Sequence, residues 1–242
     1  MSRISFENYG KLAQSLKDDT EVSGRYKIQH EAEKKILADV IKKLELQSED
    51  SVLEIGCGVG NLLIPFSFFV REITGIDHSS CIKRLKDRFP KAKNVSFISG
   101  NFLDINIDKK YNKILCYSVI HCLEHSDEVF KFIYKALQLL VPGGMALFGD
   151  IPNKSTKKRF VNSEQGRQFV SEWEELLKRQ TDSNNKTITQ IPDKKSVQFD
   201  DDLILKILKL FRDKGYHTYV FPQTPELPFG NTREDILIKS VR

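Results

Sequence analysis

The stretch SVLEIGCGVGNLL, Ser51 to Leu63, places glycines at 56, 58 and 60 between two apolar runs. A chain that gives up side chains there turns tightly and lets a ligand approach its backbone closely. The short apolar run before the turn reads as a strand buried in a parallel sheet. A dinucleotide-binding turn would be spelled G-x-G-x-x-G, with glycine at position 61; here that residue is Asn61. The pattern is instead E-x-G-x-G-x-G, with Glu54 on the strand itself. A pyrophosphate favours a helix N-terminus free of nearby negative charge. An acid at this turn is better suited to a ligand that carries an ammonium.

The rest of the chain repeats the alternation that such a turn implies. Residues 29–46 carry Ala32, Ile36, Val40, Ile41 and Leu44 at helical spacing. After the turn, residues 59–69 read as a helix and REITGID as a second strand ending at Asp77. SSCIKRLKDRF then reads as a helix opened by two capping serines. KNVSFISGNF and YNKILCYSVI are a third and a fourth strand, SDEVFKFIYKALQLL a helix, and PGGMALFGD a fifth strand. DDLILKILKLFRDKG is an amphipathic helix stopped at Gly215, and YHTYVF and EDILIKSV close the chain as an antiparallel pair at the sheet edge. Strands and helices in this rhythm predict an α/β fold of the Rossmann-like, doubly wound kind. Its seven-stranded, mostly parallel sheet carries an antiparallel edge strand, and sites lie at the strands' carboxyl ends. Residues 1–48 are expected as an N-terminal helical cap and 49–242 as the main domain. A polar insertion at about 151–200 is expected as a lid.

Composition narrows the class further. Hydrophobic residues make up 40% of the 242, enough for a substantial core, and the net charge of +5 suits an anionic substrate or a weakly nucleic-acid-facing surface without requiring either. No run approaches the roughly 20 apolar residues of a membrane span, and MSRISFENYG lacks the apolar centre of a signal peptide. Cys57, Cys81, Cys116 and Cys122 form no C-x-x-C pair. They read as reduced thiols of a cytoplasmic protein. The spacing HCLEH, His121 to His125, matches an inverted zinc-protease motif, but that motif needs a helix and here follows a strand, so no metal is expected.

VLEIGCGVGN, ITGIDHSS, ISGNFLD, YNKILCYSVIHCLEH and LLVPGGMALFGD, in this order over roughly residues 50–150, resemble the class I S-adenosylmethionine-dependent methyltransferases. The resemblance implies S-adenosyl-L-methionine as cofactor, with Glu54 on the methionine ammonium and Gly56, Cys57 and Gly58 lining methionine and ribose. Asp77 would bind the ribose hydroxyls, His78 and Ser79 would lie beside the adenine, and Asn101 and Phe102 would flank it. Tyr117 and Ser118 would lie near the methionine and the acceptor. GRYKIQH resembles a segment that closes over the cofactor, which adds Tyr26 and His30. The family usually carries Asp or Glu where this chain has Asn101, and an amide oxygen there accepts a weaker bond.

Each of these residues also has a plainer reading. The turn alone is an ordinary strand-to-helix connection, Asp77 alone a helix cap, and His121 a hydrogen-bonded structural histidine. The run Lys154, Lys157, Lys158, Arg159 is a solvated surface or an anion clamp, and Trp173 packs the insertion down. If the acceptor is a hydroxyl, such as a sugar or nucleotide-linked sugar, His121 is the expected general base, with Glu124 as its orienting partner or the alternative base. The fourth strand lacks the N/D-P-P-Y signature of methyltransferases acting on amide and base nitrogens. The basic runs have little aromatic interleaving, which argues against nucleic acid. The alternatives are an RNA or protein methyltransferase, docking through the basic insertion, and a non-catalytic protein that only binds the cofactor.

Overall fold

In the computed structural model, which describes residues 3–91, 93–180 and 196–241, the first strand stops where the glycines begin. This strand, β1 (Ser51–Ile55), is followed by β2 (Glu72–Asp77), β3 (Val95–Ser99), β4 (Tyr111–Tyr117), β5 (Leu140–Pro152), β6 (His217–Pro222) and β7 (Arg233–Lys239). They form one sheet in the order β3-β2-β1-β4-β5-β7-β6. The neighbours from β3 through β5 are parallel, and β7 runs antiparallel to both β5 and β6. The reversed strand is therefore second from the edge, and β6 lies outermost. Strand order reverses at β1, which places the switch point, and with it the site, above the carboxyl ends of β1, β2 and β4.

Nine helices are described. α1 (Arg3–Ser15), α2 (Asp19–Val22) and α3 (His30–Leu44) precede the sheet; α4 (Leu63–Phe66), α5 (Ser79–Arg88) and α6 (Ser126–Leu137) connect its strands. α7 (Lys154–Asn162) and α8 (Glu164–Gln180) follow β5, and α9 (Asp201–Asp213) leads to β6. Alternating side chains feed two cores. Leu53, Ile114, Phe148 and Ile236 pack with Phe132 of α6 and Phe211 of α9 on one face. Val52, Leu115, Leu147 and Leu237 pack with Ile36, Val40 and Leu44 of α3 and Leu85 of α5 on the other. Each of these buried side chains contributes about 1.5–3 kcal/mol relative to exposure. Among the described residues, no helix is long and apolar enough to cross a membrane.

Three differences from the sequence reading have physical causes. The helix expected over 59–69 is the single turn α4. Gly60, at φ +90°, holds the chain outside helical space until position 61. Asn61 then crosslinks the N-terminal segment to the turn: its amide donates to the Asp19 carbonyl at 3.0 Å and to Glu33 at 3.1 Å, and accepts from Arg88 at 2.9 Å. The third glycine of a dinucleotide turn is thus replaced by a clamp. The strand expected to end at Asp150 continues to Pro152, because β7 pairs with it past a register shift between Phe148 and Ile151. Finally, α1 is a separate helix ahead of α3, the one stretch of residues 1–48 whose periodicity marks a helix; it packs on α5, where Arg84 donates to the Ala13 carbonyl at 3.0 Å and reaches Asp19. Residues 181–195 of the expected insertion lie outside the described residues.

Candidate functional site

The turn after β1 is shaped by what a side chain would strike. At Gly56, φ is +80° and a Cβ would sit 2.3 Å from Val119 Cγ2. At Gly58, φ is +53° but a Cβ would meet nothing within 4 Å. Gly56 therefore serves the fold, and Gly58 faces open space. That space is a cleft of about 640 Å³, open to solvent, and its lining includes Glu54, Cys57, Gly58, Asp77, Tyr117 and Ser118. Seven of the expected residues, these and Gly56, share this one cleft.

Two carboxylates dominate it. Glu54 is buried, and its Oε2 has no hydrogen-bond partner. Burial, and then the charge of Asp77, push its carboxyl well above the usual range. Asp77 ends β2 and accepts from the Gly58 N–H at 2.7 Å and the His78 N–H at 2.6 Å. Burial raises its pKa as well, against the pull of those two bonds. A carboxylate oxygen that accepts one N–H keeps a lone pair for a hydroxyl donor. A buried acid left without a partner costs free energy that a bound cation restores.

Asn101 and Phe102 line an adjoining recess that shares Gly56, Asp77 and Val119 with the cleft and adds Phe6 and Phe132. His78 is committed elsewhere. Its Nδ1 accepts from the Ser80 N–H at 3.1 Å and caps α5, and its ring packs edge-on to Phe6 with centroids 5.0 Å apart. Ser79 is the first residue of that helix. Tyr26 packs edge-on against Trp173 of α8 at 5.6 Å, so Trp173 ties α8 to the N-terminal segment. His30 pairs with Thr20 at 3.1 Å beside a separate surface hollow.

The other side of the cleft is a network of charges. Ser118, just past the end of β4, and Asp150, two residues before the end of β5, both adopt left-handed φ, +61° and +59°, without being glycine. Such backbone costs roughly 1–3 kcal/mol per residue and is held only by its surroundings. Here the Ser118 hydroxyl donates to the Asp150 carboxylate. The Asp150 N–H donates at 2.8 Å to Asp235, a fully buried acid paired with Lys43 at 2.7 Å. Gln223 donates to Asp235 and to the Tyr117 hydroxyl, each at 2.9 Å. Arg25 reaches Glu33 at 3.3 Å through one terminal nitrogen; through the other it reaches Ser118 at 3.0 Å and Asp150 at 3.6 Å. Its buried Nε has no partner.

His121 lies in the 3-10 turn after β4, with a buried, unpartnered Nδ1. Burial, then the charge of Arg233, lower its pKa to about 4, so it is neutral at neutral pH. Glu124 is not brought to it: it lines a groove with His125, Asp202 and Lys206, where α6 meets α9. Two of the four basic-run side chains are engaged, Lys154 with Asp200 at 3.0 Å and Arg159 with Asp201.

Four residues of the site escaped the sequence reading. Tyr9 of α1 lines the cleft; the Cys122 thiol beside it and burial push its phenol up, so it stays protonated. Arg25 sits one residue before Tyr26, inside a segment already singled out. Asp150 lies two residues before the end of β5, at its register shift with β7, an acid near a strand's carboxyl end, and that much was legible. Arg233 opens β7 with no local signal.

Comparison with known proteins agrees with this geometry. The family described as "Methyltransferase domain" matches residues 28–196. A ubiquinone biosynthesis O-methyltransferase of Rickettsia conorii is 26% identical over 148 residues, covering 60% of this chain and 47% of that protein. The chain thus spans about half the length of the curated relatives it matches. Phosphoethanolamine N-methyltransferase 1 of Haemonchus contortus, solved with phosphoethanolamine and S-adenosylhomocysteine, superposes with a TM-score of 0.71 at 17% identity, over 99% of this chain and 49% of that one. The N-methyltransferase NodS of Bradyrhizobium japonicum, solved with S-adenosylhomocysteine, gives 0.63 at 14% identity over 98% and 99% of the two chains.

Proposed function

The chain belongs to the S-adenosylmethionine-dependent methyltransferases, and we propose that it methylates a hydroxyl of a small-molecule acceptor. The observation that carries the cofactor assignment is the buried, partnerless Oε2 of Glu54 in the cleft of the glycine turn. It calls for a cation, and the methionine ammonium is one. Arg25, lining the same cleft with an unpartnered Nε, offers the complementary charge for the methionine carboxylate. Asp77 accepts the ribose hydroxyls, and the recess at Asn101 and Phe102 takes the adenine.

S-adenosylmethionine supplies an electrophilic methyl on a sulfonium. The protein's part is then to orient the acceptor, exclude water and take a proton. Tyr9 and Tyr117 wall the cleft, and Ser118 stands at its rim beside Asp150. His121, held neutral by burial and then by the charge of Arg233, accepts the hydroxyl proton through an imidazole nitrogen. Hydroxyl chemistry is favoured because an acceptor amine needs no such base, and the curated relative above is an O-methyltransferase. A sugar hydroxyl, free or nucleotide-linked, is one acceptor of this kind, and the cytoplasm is the compartment we propose. An RNA acceptor is disfavoured, because two of the four basic-run side chains are paired with Asp200 and Asp201.

The test is S-adenosylhomocysteine production by the purified protein, supplied with S-adenosylmethionine and a panel of sugars, nucleotide sugars, aromatic alcohols, amines and RNA. Turnover confined to hydroxyl acceptors is expected. Turnover only with amines or RNA would overturn the acceptor assignment, and no calorimetric binding of S-adenosylmethionine would overturn the cofactor cleft.

A further inference from the structure

We propose that Asn61 is a positioning residue for the cofactor: through Glu33 it fixes the Arg25 guanidinium where the methionine carboxylate arrives. The inference rests on the methyltransferase reading above, in which Arg25 meets that carboxylate, and adds the residue that holds Arg25 ready for it.

Asn61 follows Gly60, the last glycine of the turn. Its amide meets three separate elements. The Nδ2 donates to the Asp19 carbonyl of α2 at 3.0 Å and to Glu33 Oε1 of α3 at 3.1 Å, and the Oδ1 accepts from Arg88 of α5 at 2.9 Å. These partners settle which way the amide faces, because a flipped amide would set its oxygen against a carbonyl and a carboxylate. The anchors are themselves held: the Asp19 carboxylate pairs with Arg84 and, at 2.9 Å, with Arg88.

Glu33 carries this order to the cleft. It is buried, and the Oε1 that accepts from Asn61 also accepts from one terminal nitrogen of Arg25 at 3.3 Å. The other terminal nitrogen of Arg25 donates to Ser118 at 3.0 Å, and the buried Nε has no partner. A guanidinium gripped at both terminal nitrogens presents one orientation, and a group ordered beforehand spares the ligand the cost of ordering it. The methionine end is a zwitterion, so the cleft needs an acid and a cation set apart, Glu54 and Arg25, rather than a surplus of either charge. Glu33, Asn61 and Leu62 line both the cleft and the surface hollow beside His30, so the bond from Asn61 to Glu33 belongs to the wall between them. Loss of the amide admits water to the pair of Glu33 and Arg25, and the attraction that holds the guanidinium weakens in water.

The experiment titrates S-adenosylmethionine and decarboxylated S-adenosylmethionine, which keeps the ammonium and lacks the carboxylate, into the protein by calorimetry. The natural protein should bind the first at least tenfold more tightly. Asn61→Ala should weaken S-adenosylmethionine about tenfold and leave the decarboxylated compound within threefold, whereas a residue that serves only the fold would weaken both alike. Asn61→Asp keeps the shape but sets an acid beside Glu33; it should weaken S-adenosylmethionine at least as much, and it serves if the alanine variant does not fold. In an Arg25→Gln protein, Asn61→Ala should cause no further loss, since both act on one contact. Equal weakening of the two ligands, unchanged S-adenosylmethionine affinity in both Asn61 variants, or a full further loss in the Arg25→Gln protein would overturn the proposal. Equal binding of the two ligands by the natural protein would remove the Arg25 contact and the proposal with it, while binding of neither would strike the cofactor cleft itself.

Discussion

The two sides of the cleft reach similar backbone shapes by opposite means. On the proposed cofactor side, left-handed φ falls on Gly56, Gly58 and Gly60, where it costs little, and Glu54 keeps a buried oxygen without a partner. On the acceptor side, left-handed φ falls on Ser118 and Asp150, where it is strained, and the charges are tied to one another from Glu33 through Arg25 and Asp150 to Arg233. On the proposed reading, the first side is left for a ligand to finish, and the second is largely finished by the protein. Loss of a group on the first side should therefore appear mainly in cofactor affinity. Loss on the second should appear mainly in turnover.

The largest test of that contrast is Asp77→Ala. It removes the acceptor of two backbone N–H groups together with the proposed ribose contacts, bonds to a charged group that contribute about 1.5–3 kcal/mol each. The dissociation constant for S-adenosylmethionine should rise by over tenfold, approaching about a hundredfold by that estimate. An unchanged constant, measured by calorimetry on a folded variant, would remove Asp77 from the site and dissolve the contrast.

Next in size is His121→Gln on the other side. A general base contributes about 10²–10⁴-fold, so turnover should fall by roughly a hundredfold while cofactor affinity stays within threefold. The pH dependence of stability adds a second check. The His121 pKa is depressed from 6.5 to about 4 in the folded protein, mainly by burial and by Arg233. Between those values the unfolded chain takes up a proton that the folded chain refuses, so stability present above pH 6.5 is lost as pH falls toward 4. That loss is on the order of 2–3 kcal/mol. The glutamine variant should show a flatter Tm over this range. Full activity would retire the base, and an unaltered slope would retire the burial argument.

The same division explains what could be read from the amino-acid sequence. Glu54, the glycines and Asp77 lie within 24 consecutive residues, on one strand, one turn and the next strand's tip, so chain-local spacing encodes their geometry. The charge network opposite is assembled from residues 25, 33, 118, 150 and 233, which meet because the sheet places β4, β5 and β7 side by side and the N-terminal segment brings Arg25 and Glu33 against them. Ser118 and His121 were legible from the end of β4. Arg233 was not, because its role depends on a partner 83 positions away. Glu124 shows the opposite error. Three residues from His121 in sequence, it is carried by the chain's exit from the 3-10 turn into the groove against α9.

The smallest effect sharpens the contrast most. If Glu54 waits for a cation, the protein without cofactor carries an uncompensated acid. Its pKa is raised by burial and by Asp77, so the folded state keeps a proton that the unfolded chain has released. Stability therefore falls as pH climbs past the unfolded value near 4.5, and the fall continues until the folded group also ionises. Glu54→Gln removes that term. A buried charged group lacking its partner costs on the order of 1–3 kcal/mol, and about 1 kcal/mol moves Tm by roughly 2–4 °C at this chain length. The variant should thus melt higher than the natural protein at pH 8, with the gap closing toward pH 5, and it should bind S-adenosylmethionine about tenfold more weakly. A residue that serves the fold alone would lower Tm when altered. Asp235 is the internal control: burial raises its pKa too, against the pull of Lys43, but Asp235→Asn leaves the buried Lys43 without its charged partner, so it should lower Tm at pH 8. Opposite signs for two buried acids of one sheet would separate a group held for a ligand from a group held for the fold; equal signs would erase the distinction.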